Sequence, residues 1–423
     1  MQATTALAEP AAPLLDRSAR FDALDAIRAV ASIGVVVTHV SFQTGTTNNG
    51  TWAGFLARLD SGVALFFVLS GFLLFLPYAR RRFAGAVPPA TGPYMWRRAL
   101  RILPAYWLVV VMCFVLLPEN AKVTSADWIR HLLLLQNYQP NTLRAGLTQT
   151  WSLVTEVSFY LLLPVLATII LGRHGTPRSG HRPLRVLGMF VAFNIAWLLV
   201  SRIVDEDGSQ PLGSWLPGTL AWFSVGMALA LLRAWFEQLG SASLPLAWVR
   251  DLAKAPGSCW LLALFLFAVA TTPVAGPRLL FPSTGWEMVA KTLLYGTAAA
   301  FIVLPLVLAD QSGSRFIRAL SVRPLRWLGE LSYSIFLWHL LVLASVYELT
   351  DIKIFQGRFW SVLGLTLAGT MVVSTLSYLL LERPLLRLKS SYPFQSGRSG
   401  QDGSTVATTQ PTASTPSAVV PDS

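Results

Sequence analysis

Arg28 and His39 stand in the run LDAIRAVASIGVVVTHV, residues 24–40, which is otherwise almost wholly apolar. Eleven steps of about 100° return a helix to nearly the same azimuth, and at 1.5 Å each they cover about 16 Å. The two side chains therefore share one face about half a membrane apart, with Asp25 one turn before Arg28 on the same side. An intramembrane arginine costs at least about 2.5 kcal/mol on insertion scales, so a paired or water-accessible functional role is its default reading. The bland alternatives are a snorkelling arginine that sets topology and a histidine satisfied in a packed core. For His39 taken alone, the core reading is the better one.

Other residues fall at the same two depths. In TWSLVTEVSFYLLLP, Glu156 lies about one and a half turns into a helix entering from the side opposite the N-terminus, level with His39. A buried carboxylate and an imidazole at one level form a base with its orienter. Arg98 and Arg101, three apart, share a helix face at the other surface and suit phosphate oxygens, with plain topology-setting charge as the alternative. The chemistry thus has a vertical layout, with cations for an anionic donor at one surface and an acid/base site deeper. A donor with phosphates at one end and a reactive group on a long flexible arm matches it.

The elements that must position these groups are membrane helices. The 423 residues are 53% hydrophobic and 13% charged, with a mean hydropathy of +0.53, which excludes an ordinary soluble globule. Apolar runs of about 20 residues, the length that crosses a bilayer, fall near 22–43, 63–79, 102–118, 151–171, 186–204, 215–234, 258–274, 289–309, 328–348 and 359–381. The shorter run WIRHLLLLQNY, 128–138, reads as an interfacial or re-entrant piece. The net charge of +12 sits in short loops between these runs, where it signals topology and does not indicate nucleic acid.

Lysine and arginine concentrate in alternate connections, among them RRRFAGAVPPATGPYMWRRALR and RFIRALSVRPLR, so that side is cytoplasmic by the positive-inside rule. The expected fold is an all-α integral membrane protein of about ten transmembrane helices in the plasma membrane, with both termini cytoplasmic. Residues 1–20 form a cytoplasmic N-terminal segment, 21–388 the transmembrane domain and 389–423 a disordered tail. Cys113 and Cys259 fall in or beside apolar runs without disulfide or metal-ligand spacing, and no metal site is expected.

With these residues placed, the chain resembles the acyltransferase 3 family of integral membrane O-acyltransferases. Arg28 and His39 meet its opening Arg-x10-His motif, and VALFFVLSGFLL, RRALRILPAYW, QTWSLVTEVSFYLLLP, GELSYSIFLWH and LERP are similar to later signatures in order. The resemblance implies an acyl-CoA donor, acetyl-CoA in the first instance, taken from the cytoplasm as a substrate and not as a permanently bound cofactor. The acceptor it implies is a hydroxyl on a sugar, a cell-envelope glycan or a glycosylated metabolite. It further implies that His39 is catalytic and that Arg28, Arg98 and Arg101 engage the donor, while the equal depth of Glu156 makes that carboxylate the expected helper of His39. Some members carry an added extracytoplasmic hydrolase-like domain, and the short polar tail leads us to expect none here.

The competing class is a transporter or flippase in which Arg28, His39 and Glu156 form a substrate or proton pathway. Three further features take structural readings. His339, with no partner to name, reads as packing. Glu382 and Arg383 read as an end-anchoring pair. Ser70 and Gly71 read as small-residue helix packing. HxxxD acyltransferase, Walker, GxGxxG and GxSxG motifs are absent.

Overall fold

In hydrocarbon every backbone N–H and C=O must find a partner within the chain, and among the described residues this sequence meets that demand with helices alone. The computed structural model describes residues 21–48, 50–172, 181–205, 211–239, 247–278, 283–309 and 314–390. The N-terminal segment 1–20 and the tail beyond 390 lie outside them.

The principal helices are α1 Ala23–Gln43, α2 Gly62–Phe83, α3 Thr91–Leu116, α4 Trp151–Leu171, α5 Arg182–Val204, α6 Leu216–Leu239, α7 Pro256–Ala270, α8 Gly285–Leu308, α9 Arg323–Leu349 and α10 Phe359–Ser377. Among the described residues nine are long and apolar enough to cross a membrane, which makes this a multi-pass membrane protein. The tenth, α7, has 15 residues, about 22 Å at 1.5 Å each, against a hydrocarbon core of about 30 Å. It stops at Ala270 instead of reaching 274. There the buried Arg58 guanidinium donates to the Ala270 carbonyl at 2.8 Å and to that of Gly276, satisfying the carbonyls a helix end leaves open. Helix α3 begins eleven residues before the apolar run that announced it, because the WRRALR stretch is helical but too charged for hydropathy to count. The interfacial piece is an eight-residue helix, Ser125–Leu132, opened by a Thr124/Asp127 capping box. It lies against α3, whose Tyr106 and Trp107 donate to the carbonyls of His131 and Leu132 at 2.7 and 2.9 Å.

Contacts between helix ends fix the alternation. Asp22 before α1 pairs with Arg326 of α9 at 2.9 Å. Arg80 near the end of α2 and Arg233 of α6 both hold Glu237, while Arg82 and Arg233 donate to the last turns of α4 and α8. Trp96 at the start of α3 donates to Leu388 beyond α10. All these lie at one basic end. At the opposite end the backbone N–H groups of Phe355 and Gly357 bond to the carbonyls of Gln43 and Thr44 after α1.

Close approach replaces the hydrophobic effect as the glue between membrane helices. A Cβ at Gly71 would strike the Phe223 carbonyl, and one at Gly226 the Val68 carbonyl, so two glycines let the backbones of α2 and α6 meet. Gly329 does the same for α9 against Asp25 of α1. Cys113 and Cys259 are free, buried thiols.

Candidate functional site

Two cavities lie along α1. The first, of about 260 Å³, is lined by Arg28, Arg98, Arg101, Glu156, Tyr160 and Ser70, with Phe66, Tyr333 and Phe336 among the remaining walls. The early start of α3 is what carries Arg98 and Arg101 into it. Arg28 stands 3.9 Å from Asp25, and the Arg98 guanidinium lies 5.9 Å from the centre of the Tyr160 ring. The Nε of Arg98 is buried without a hydrogen-bond partner. Glu156 is fixed by the Ser70 hydroxyl and by the Tyr160 hydroxyl at 2.6 Å. Three guanidiniums face the lining carboxylate of Glu156 and the Asp25 carboxylate beside Arg28, which leaves one positive charge in excess and a buried N–H unspent, an arrangement suited to an anion.

The second cavity, about 780 Å³, is lined by His39, Asp60, Lys291, Tyr295, Trp151 and Trp222, among others. Asp60 pairs with Lys291 at 2.7 Å and accepts from the Tyr295 hydroxyl at 2.5 Å. Trp222 donates to the Thr292 carbonyl at 2.8 Å, and its ring lies nearly parallel to Tyr295 with centroids 6.4 Å apart. Val63 lines both cavities. Beside it, Phe66 and Phe336 meet edge to face at 6.2 Å in the wall of the first. The helix α1 that contributes Arg28 to one chamber contributes His39 to the other.

The structure therefore gathers Arg28, Arg98, Arg101 and Glu156 into one chamber and places His39 in the next. Glu156 shares its chamber with the arginines and takes its hydrogen bonds from Ser70 and Tyr160, so the equal-depth argument that joined it to His39 does not describe the contacts seen. The ring beside His39 is that of His339, whose Nε2 lies 3.3 Å from His39 Nδ1. Sequence reasoning passed over His339 because depth alone names no partner; its azimuth on α9 faces α1. Ser70 was also missed, since Gly71 next to it does pack as a small residue should. Glu382 turns inward within a π-helical turn, Tyr378–Glu382, and accepts from the hydroxyls of Ser334 and Ser377 instead of pairing with Arg383. No three histidine, cysteine or acidic side chains cluster as a metal site among the described residues.

The fold and site define a multi-pass helical membrane protein with a cationic chamber and a histidine-lined chamber that share Val63. Residues 21–381 match the family model described as an acyltransferase domain, and the chain belongs to that acyltransferase 3 family. It is 24% identical over 383 residues to the peptidoglycan O-acetyltransferase OatA of Listeria monocytogenes, covering 86% of this chain and 55% of that protein. To the exopolysaccharide production protein ExoZ of Rhizobium meliloti it is 28% identical over 347 residues, 81% of this chain and 94% of that one. To the O-acetyltransferase OatA of Staphylococcus aureus it is 25% identical over 407 residues, 90% and 60% respectively. The chain thus spans little more than half the length of the OatA relatives it matches. No solved structure matches it significantly.

Proposed function

We propose that this chain is an O-acyltransferase of the plasma membrane that moves an acetyl or other short acyl group from acyl-CoA to a hydroxyl of a cell-envelope glycan or related glycoside. The observation that carries the reading is the meeting of two chambers at Val63, with cations in one and His39 in the other. Its support from relatives is that their names describe O-acetylation of peptidoglycan and production of an exopolysaccharide.

The basic end faces the cytoplasm by the positive-inside rule. Arg28, Arg98 and Arg101 take the donor's phosphates, and the arm carrying the thioester passes Val63 towards His39. Glu156 sets the charge and geometry of the donor chamber through Ser70 and Tyr160. The acceptor sugar occupies the larger chamber, where Trp151 and Trp222 offer flat apolar faces and the Asp60–Lys291–Tyr295 cluster offers donors and acceptors to its hydroxyls. His39 takes the proton of the attacking hydroxyl as the oxygen adds to the thioester carbonyl. The C–S bond breaks, and the proton passes from His39 to the leaving thiolate, giving ester and free thiol. A transient acyl-histidine is the two-step variant of the same site.

The test is thiol release. Purified protein in lipid nanodiscs, given acetyl-CoA and a solubilised envelope-glycan fraction, should liberate free coenzyme A and yield an acetylated glycan by mass. Movement of the glycan into sealed proteoliposomes of the same protein, with no thiol release, would instead make the chain a transporter.

A further inference from the structure

His339 is completely buried beside the proposed base and has no part in the chemistry so far. Its ring centroid lies 5.0 Å from that of His39, and its Nε2 lies 3.3 Å from His39 Nδ1. Each imidazole has a backbone carbonyl at Nδ1, that of Val35 at 2.8 Å for His39 and that of Phe336 at 2.7 Å for His339. A carbonyl oxygen only accepts, so both Nδ1 atoms carry hydrogen. Neutral His339 then holds its lone pair at Nε2, directed at the N–H of His39. That N–H is shared between Val35 O and His339 Nε2, and the one lone pair left on His39 is at Nε2, the nitrogen free to meet the chamber that His39 lines.

We propose that His339 is the positioning residue of the catalytic histidine: its Nε2 holds His39 in the Nδ1–H tautomer and supports the charge that appears when His39 Nε2 takes the acceptor's proton. The assignment rests on the acyl-transfer reading above. It replaces Glu156 in the orienting role that sequence spacing suggested. His339 keeps its own proton throughout, since only Nε2 of His39 gains and then returns one. The geometry follows the general pattern of a base with a third group bonded to its far nitrogen, here with a neutral ring and a carbonyl in place of a carboxylate. A carboxylate in that place would put a full negative charge into a fully buried site, whereas an imidazole lone pair accepts without one.

Two substitutions separate positioning from packing. His339→Phe keeps the ring volume and removes the acceptor. His339→Gln restores an acceptor oxygen towards His39 and an NH₂ towards Phe336 O. With acetyl-CoA and the envelope-glycan fraction, His339→Phe should lower kcat by about 10- to 100-fold while the acetyl-CoA KM stays within about twofold, and His339→Gln should recover most of the loss. Carbethoxylation of His39 by diethyl pyrocarbonate, read by peptide mass, should follow the same order without needing turnover. Wild-type kcat and reactivity in His339→Phe, or equal impairment in both variants, would overturn the proposal. A wild-type protein that releases no thiol would sink the acyl-CoA reading instead, and the carbethoxylation order would still decide the histidine pair.

Discussion

A guanidinium in a low-dielectric chamber gains most from a partner whose oxygens match its fork, which is why Arg98 and Arg101 are assigned to the donor. Replacing both by glutamine removes charge and fork together but keeps polar length. The expected outcome is an apparent acyl-CoA KM raised by at least about tenfold, the order of one lost charge-assisted bond, with lysine restoring only part of it. Isothermal binding of coenzyme A to the inserted protein checks this, and unchanged affinity would leave the pair as topology signals. In the proposed mechanism His39 acts on the acceptor's proton and not on the donor's phosphates. His39→Ala should therefore cut transfer by about 10² to 10⁴, the usual range for a positioned acid/base group, while coenzyme A binding survives. Near-normal turnover in that variant would remove the centre of the proposed mechanism.

At the scale of the element, α1 matters because one helix lines both chambers, and so presents both ends of the proposed reaction. A single alanine inserted between Ala29 and Val37 turns His39 by about 100° relative to Arg28 while adding about 1.5 Å. Four insertions return the face to within about 40° but add about 6 Å. The four-residue insertion should keep more activity than the single one at equal membrane abundance, and equal rates in the two would mean that facing is irrelevant. A second element carries a pH prediction. Burial by itself would raise the Asp127 carboxyl, but the Thr124 backbone and hydroxyl and the Arg144 guanidinium, 2.7 Å away, outweigh it and hold the carboxyl down at about 2. A group depressed on folding stabilises above its unfolded value, near about 4 for aspartate, and that contribution is lost as pH falls towards about 2. Hydrogen-exchange protection of Ser125–Leu132, corrected for intrinsic rates, should hold from neutral pH to about 4 and fade below it. In Arg144→Gln the carboxyl is less depressed, so the pH-dependent loss of protection should be smaller and complete at a higher pH. Protection insensitive to that substitution would show that other contacts hold the helix.

For the molecule as a whole, the division into two chambers predicts that donor and acceptor parameters separate. Lys291 lies in the His39 chamber, 29% exposed, paired with an Asp60 that is 23% exposed. Asp60 keeps the Tyr295 hydroxyl as a partner and methionine keeps the length of the lysine stem, so Lys291→Met should leave the fold intact. It should raise the glycan KM by about threefold or more, the loss of one polar contact, with the acetyl-CoA KM unchanged. Steady-state kinetics with each substrate varied in turn decides it, and a change confined to acetyl-CoA would reverse the assignment of the chambers.

Much of this was legible from the sequence because it depends on neighbours a few residues apart. Hydropathy marked ten helical segments, and the eleven-residue spacing put Arg28 and His39 on one face whatever packs around them. The charged first turns of α3 escaped the same signal, since a helix half outside hydrocarbon need not be apolar. What tertiary structure alone decided are relations between helices. His339 meets His39 across 300 positions, Lys291 meets Asp60 across 231, and Glu156 joins the arginines and Ser70 instead of the histidine. A single helix's periodicity gives which residues share a face but not which neighbour that face meets. Here that choice rests on backbones brought together at Gly71, Gly226 and Gly329, where the absence of a Cβ sets the rotation and depth at which α1, α2, α6 and α9 pack.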